Sequence, residues 1–405
     1  PSLVGSEMCI RDRWNTVAKF FFSSSFLLFL GNWIGQIGLN WYVLTSYHNA
    51  VYLGLVNFCR LVPILLLSVW AGAIADKFDR GKLLKMTISS SFLVTSTLCV
   101  CTFLLEQVPI IFILIYATLR GMINATETPI RQAVLPDLSV HLNTSQAVSY
   151  HSFIINICRS IGPAIAGLIL SIYHAPFTFL AQSMCYFIAV LLCIPLTFKT
   201  VGEANKANKG FSFTVVWEYF KNNMQASRIF ITSLIIMATG FSYTTLVPVL
   251  VHDLFPGRSE IFGVSMTFCA VGGMIATLLL PIILKKFTIV QMYYLSSCLF
   301  GLALVGVIIH NIIFMFICMS LVGLFSQLAR TSNRIYFQED IASEHRGKIL
   351  SIVMMDRGMI PLGSLILTTL SEIMGPINTF ITMGIFTFVI AFIAYIIQRP
   401  IKLEE

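Results

Sequence analysis

Four arginines, Arg60, Arg120, Arg159 and Arg357, each interrupt a long run of apolar residues. A guanidinium carries five N–H donors on a permanent charge and meets a carboxylate as a two-pronged fork. Placed at bilayer depth, such a group costs at least about 2.5–3.5 kcal/mol, so it faces a cavity or a partner. Acids at comparable positions are fewer, Glu127 and Asp356. Arg120, Asn124, Glu127 and Arg131 share one helical face, so Glu127 can pair with Arg131 or, less directly, with Arg120. Asp356 follows the same helix as Arg357 but points about 100° away, toward another partner. After these pairings positive charge is left over, and an anionic, carboxylate-bearing solute matches it. The alternative role for each arginine is structural, bridging carbonyls or neutralising an acid.

A second set of polar groups lies in "LGNWIGQIGLNW", residues 30–41, where Asn32, Gln36 and Asn40 recur every fourth residue and stack on one stripe. Three neutral amides, flanked by Trp33 and Trp41, suit either the wall of a polar cavity or hydrogen bonds between helices. Glu127 and Asp356 are the carboxylates able to carry a proton at membrane depth, and His151 is a third titratable group there. No G-x-x-x-x-G-K-[ST], H-E-x-x-H or G-x-S-x-G occurs, so neither ATP coupling nor hydrolytic chemistry is indicated. Cys99 and Cys101 form a lone C-x-C in apolar surroundings and read as core thiols. No metal site and no bound cofactor are expected, with a proton gradient as the energy source.

The elements that hold these groups follow from composition. The chain has 405 residues, 57% hydrophobic and 11% charged, against about 25% charged in soluble domains. Its apolar blocks exceed the roughly 20 residues that span a bilayer as a helix. Twelve spans are predicted, roughly 18–45, 51–75, 83–105, 109–132, 146–173, 176–198, 228–251, 260–284, 288–309, 311–336, 346–373 and 377–398. They define an N-terminal six-helix bundle over 14–198 and a C-terminal one over 228–405. Between them lies a polar linker, 199–227, with an amphipathic helix at 211–221. Residues 1–13 fit no part of this pattern and read as non-native or mis-assembled sequence.

Lys77, Arg80, Lys82, Lys85, Lys199, Lys206, Lys209, Lys221, Arg228, Lys285, Lys286, Arg346, Lys348, Arg399 and Lys402 all fall on one side, and Arg258 on the other. The positive-inside rule places both termini and the linker in the cytoplasm. The net charge of +8 therefore records topology and is no sign of nucleic-acid binding.

The halves repeat. "LGLVNFC" at 53–59 answers "FGVSMTFC" at 262–269, Arg131 and Asp137 answer Arg334 and Asp340, and Arg159 and Pro163 answer Arg357 and Pro361. A parallel repeat of this kind puts a site between two bundles. "GAIADKFDRGK", 72–82, resembles the loop signature of the major facilitator superfamily at Gly72, Asp76, Arg80 and Lys82, with Asp79 where many members have Gly. "GPAIAG", 162–167, is similar to the antiporter motif of the fifth helix, through Gly162, Pro163 and Gly167. "TPIRQAVLPDL", 128–138, resembles the branch that contains enterobactin exporters and macrolide efflux proteins.

The resemblance implies an all-α integral membrane fold in a bacterial cytoplasmic membrane, working as a monomer by alternating access. It implies a gating role for the 72–82 loop and cavity lining by the first helix of each half. It further implies proton-coupled export of a metallophore of siderophore or opine type, such as staphylopine. A multidrug or macrolide-type efflux pump of the same fold is the alternative. The partners expected are a small-molecule substrate and the lipid bilayer.

Overall fold

The computed structural model describes residues 16–77, 79–138, 144–196, 213–341, 349 and 352–397. The expected leader, most of the linker, Arg346 and Lys348 lie outside the described residues, which hold helices and turns and no strand. Six spans fill the first half: α1 (Thr16–Tyr47), α2 (Ala50–Lys77), α3 (Arg80–Leu104), α4 (Ile110–Val134), α5 (Thr144–Ile172) and α6 (Pro176–Cys193). The linker helix is α7 (Phe213–Asn222). The seventh span is α8 (Met224–Thr239) and α9 (Tyr243–Leu254), followed by α10 (Ser259–Ile283), α11 (Ile289–Gly306) and α12 (Ile312–Asp340). The eleventh span ends in α13 (Met359–Met374), and α14 (Pro376–Ile397) is the twelfth.

Two spans expected as single helices are broken. The seventh turns at Gly240–Ser242, where a Cβ on Gly240 would stand 2.5 Å from the ring of the buried Phe300. Ser242 there is fully buried and donates to the carbonyl oxygens of Ala238 (2.8 Å), before the break, and of Ile360 (3.0 Å) on α13. The eleventh span runs through a 3-10 stretch, Met354–Gly358, before α13 begins. An apolar run looks the same in sequence whether it winds as α or 3-10.

Helix starts follow cap chemistry. Asp79 caps α3 by accepting from Lys82 N (2.9 Å), Asn223 caps α8 through Ala226 N (3.0 Å), and Thr288 with Gln291 forms a capping box on α11. Lipid gives no hydrophobic drive between helices, so close packing falls to small residues. A Cβ on Gly272 would stand 1.9 Å from Ser320 O and one on Gly323 1.8 Å from Cys269 O, so α10 and α12 meet backbone to backbone. Gly301 and Gly384 do the same for α11 and α14.

The chain forms two compact units. One comprises the chain up to Tyr42 and Cys59–Lys206; the other comprises Val43–Phe58 and Ala207–Glu405. Val43–Phe58, which lies within the stretch expected as the N-terminal bundle, clusters with the second unit. The cause is local contact: Ala50 N donates to the Glu372 carboxylate on α13, and a Cβ on Gly54 would stand 2.1 Å from Thr368 Oγ1.

Candidate functional site

Within the first unit a cavity of about 100 Å³ is walled by α1, α2, α4 and α6. Asn32 and Gln36 enter from α1, Arg60 from α2, Tyr116, Arg120 and Asn124 from α4, and Gln182 from α6. Two glycines make the enclosure possible. A Cβ on Gly121 would stand 2.3 Å from Arg60 O, so its absence lets α4 press against α2 and brings Arg60 and Arg120 to one chamber. A Cβ on Gly35 would stand 1.8 Å from Gln182 Oε1, so its absence lets the α6 amide into the wall.

Arg120 is the organising group. It is 6% exposed. Its guanidinium donates from Nη1 to Ser91 Oγ (2.6 Å) and from Nη2 to Tyr186 OH (2.7 Å) and Asn32 Oδ1 (3.3 Å). The guanidinium carbon also lies 5.0 Å from the Tyr186 ring centroid. All three acceptors are neutral and orient the cation, and the nearest acid on the same helix, Glu127, acts on it only through space. Gln182 Nε2 donates to the same phenol (3.0 Å), while Gln182 Oε1 is buried with no hydrogen-bond partner. A buried polar atom without a partner costs about 1–3 kcal/mol. A solute that donates a hydrogen bond to it removes that cost.

Two turns along α4 from Arg120 the electrostatics differ. Glu127 (3% exposed) accepts from Arg131 Nε at 2.7 Å, and Arg131 (1% exposed) also donates to Ser25 Oγ at 2.6 Å. This is the first of the two pairings expected for Glu127. Arg131 also lies over the Phe21 and Phe29 rings, at 5.8 and 5.9 Å. His151 is buried beside the same two rings, its Nδ1 unpartnered.

The other expected cavity residues are not brought to this chamber. Asn40 is buried away from it, so the α1 stripe divides after Gln36. Arg159 is half-buried on α5, which supplies no wall residue. Arg357 and Asp356 lie in the second unit, in the 3-10 stretch that breaks their span; Arg357 is exposed and Asp356 buried. There they share a narrow cleft with Arg330, Asn333 and Arg334. Asp356 accepts from Ser233 Oγ (3.2 Å) and Asn333 Nδ2 (3.5 Å), so its partners are indeed other than Arg357.

In the 72–82 loop, Gly72 and Asp76 lie on the last turns of α2, Arg80 Nη1 donates to Ala133 O on α4 (2.9 Å), and Lys82 N is capped by Asp79. In the 162–167 motif, a Cβ on Gly162 would stand 2.5 Å from Trp33 Cβ, so Gly162 seats that indole against α5. Pro163 lies inside α5 and Gly167 is buried one turn on.

Sequence reasoning missed Gln182, Tyr186, Tyr116 and Ser91. A signal existed for the first two: an amide and a phenol four apart in "AQSMCY" share one face of an otherwise apolar span.

This fold, with a buried and charged chamber inside its first bundle, defines a multi-pass membrane transporter. The chain belongs to the transmembrane secretion effector family of the major facilitator superfamily, whose model matches residues 14–405. It is 66% identical over 388 residues to the Staphyloferrin A transporter of Staphylococcus aureus (strain NCTC 8325 / PS 47), covering 96% of this chain and 98% of that one. It is 20% identical over 380 residues to Macrolide efflux protein A of Streptococcus pyogenes, covering 91% and 93%. Among solved structures it resembles the nucleoside transporter NupG, with TM-score 0.80 at 12% identity over 95% of this chain and all of that one. A bacterial homologue of the iron transporter ferroportin, solved inward-facing, matches with TM-score 0.71 at 13% identity, over 93% of this chain and 98% of that one. These structural likenesses speak for the fold alone. The proteins it matches are transporters, not enzymes.

Proposed function

We propose that this protein exports a small anionic siderophore by proton-coupled alternating access. One observation carries the choice of cargo: Arg120 is almost wholly buried, gives its hydrogen bonds to neutral acceptors, and shares its chamber with Arg60. A chamber so charged attracts carboxylates and repels cations. The relative at 66% identity is named for staphyloferrin A, which favours a siderophore over an opine such as staphylopine. The membrane is the bacterial cytoplasmic membrane, with both termini inside by the distribution of basic residues, and a monomer is the working unit.

Substrate contact is assigned first to Asn32, Gln36, Arg60, Arg120 and Asn124. Asn40, Arg159 and Arg357 would serve the solute at other stages of its passage. Of the two proton-carrying candidates, Glu127 is committed to a buried ion pair with Arg131, whereas Asp356 accepts hydrogen bonds from the neutral donors Ser233 and Asn333. The proton role therefore falls to Asp356 first. The 72–82 loop serves as a gate, with Arg80 its anchor on α4.

Comparing the culture medium of wild type and a deletion strain tests the proposal. Loss of one extracellular polyanionic chelator, with its accumulation in cells, is expected. An unchanged chelator profile with new macrolide sensitivity would transfer the assignment to drug efflux.

A further inference from the structure

Where α7 meets α8, a second and quite different cavity opens, with a volume of about 430 Å³. Its walls are Trp217 and Phe220 of α7, Phe230 and Ile231 of α8, and Ile352 from the eleventh span. Trp217 is 65% exposed and Ile231 56%, so the groove is open at its edge. Among the described residues that line it, the polar ones are Ser227 and Lys221. Ser227 commits its hydroxyl to Phe220 O, which leaves Lys221, exposed on the rim. Among the described residues no free donor faces its interior, which suits an apolar occupant better than the hydrophilic solute.

The walls are held in place. Phe220 stacks on Phe230 with centroids 4.9 Å apart. Tyr219 donates its hydroxyl to the Asp340 carboxylate at the end of α12, and Asn223 Nδ2 donates to the same oxygen at 2.8 Å. Burial and that carboxylate push the Tyr219 hydroxyl well above the usual phenol range, so this tie persists across physiological pH.

The groove lies at the end of the spans that the basic residues assign to the cytoplasm, where an amphipathic helix rests at the boundary of headgroups and acyl chains. An indole at that boundary and a lysine beside it are the side chains that favour this depth, and the inner leaflet is the anionic one. We propose that the groove between α7 and α8 is a binding site for an anionic phospholipid, with one acyl chain between Trp217 and Phe230 and the headgroup phosphate at Lys221. The site is independent of the cargo and rests on the topology.

Tryptophan quenching tests it. Trp14, Trp33, Trp41 and Trp70 are replaced by Phe, leaving Trp217 as the reporter in the full-length protein reconstituted in vesicles. Dibrominated phosphatidylglycerol or dibrominated phosphatidylcholine is then titrated in. Phosphatidylglycerol is expected to quench Trp217 at about fivefold lower mole fraction, the worth of one basic side chain at an anionic surface. Lys221→Gln is expected to abolish that preference while quenching by both lipids continues. Equal quenching by the two lipids, no quenching by either, or a preference that survives Lys221→Gln would each overturn the proposal. Should the four replacements impair folding, the difference in quenching between the parent and Trp217→Phe gives the same reading.

Discussion

Replacing Arg120 with lysine keeps the charge in the chamber and removes the fork. Arginine has five N–H groups, and Ser91, Tyr186 and Asn32 take three of them, which leaves two for a solute. A lysine ammonium has three donors in all, so satisfying the same acceptors leaves it none. A hydrogen bond to a charged group contributes about 1.5–3 kcal/mol, so losing even the first of the two weakens binding by about 10- to 150-fold. The assay is equilibrium binding of the iron-free siderophore to purified protein, followed by counterflow in proteoliposomes. Arg120→Lys is expected to lose at least that much affinity, and Arg120→Gln to lose more because the charge goes as well. Both variants should still reach the membrane, since lysine and glutamine each keep a donor within reach of the Ser91, Tyr186 and Asn32 acceptors. Wild-type affinity in Arg120→Lys and Arg120→Gln together would refute the reasoning and reduce Arg120 to a helix brace.

Further outcomes follow from the same geometry. Gly35→Ala should push the Gln182 amide out of the chamber wall and raise the apparent KM for export several-fold without altering expression, measured by transport in vesicles. Arg131→Met leaves the Glu127 carboxylate buried and alone, a defect of about 3–5 kcal/mol; the double variant Glu127→Gln with Arg131→Met should recover most of the lost thermal stability in a detergent melt. Asp356→Asn is expected to retain solute counterflow while abolishing transport driven by a pH gradient, and preserved gradient-driven transport would move the proton elsewhere. Gly54→Val drives a side chain into Thr368, so a cysteine at Ser371 should react faster with an external thiol reagent than in the parent.

The twelve spans were legible because lipid imposes a single demand on the backbone, hydrogen bonds satisfied within each segment, and a length read in residues. Arg120, Asn32 and Gln36 were legible for a related reason, since polar groups in oil must be accounted for. Asn40 obeyed the same periodicity and yet lies outside the chamber, because a stripe on a helix of this length meets different neighbours at each level. Gln182 and Tyr186 carried the same signal as the α1 amides but no charge to draw notice. What the sequence did not display was distance along a broken helix. The 3-10 stretch at Met354–Gly358 and the turn at Gly240–Ser242 have no composition of their own, and they decide where Arg357, Asp356 and Ser233 end up.

The glycine contacts of the second unit bear on how its gene can drift. Along the seams joining α10 to α12 and α11 to α14, main chains touch directly at Gly272, Gly323, Gly301 and Gly384. Even a methyl group there has nowhere to go, whereas the outward Leu278, Ile313 and Ile373 are 73–76% exposed and can be exchanged among aliphatic residues freely. A saturation library selected for chelator secretion should therefore show two narrow lines of near-total intolerance running through a permissive background.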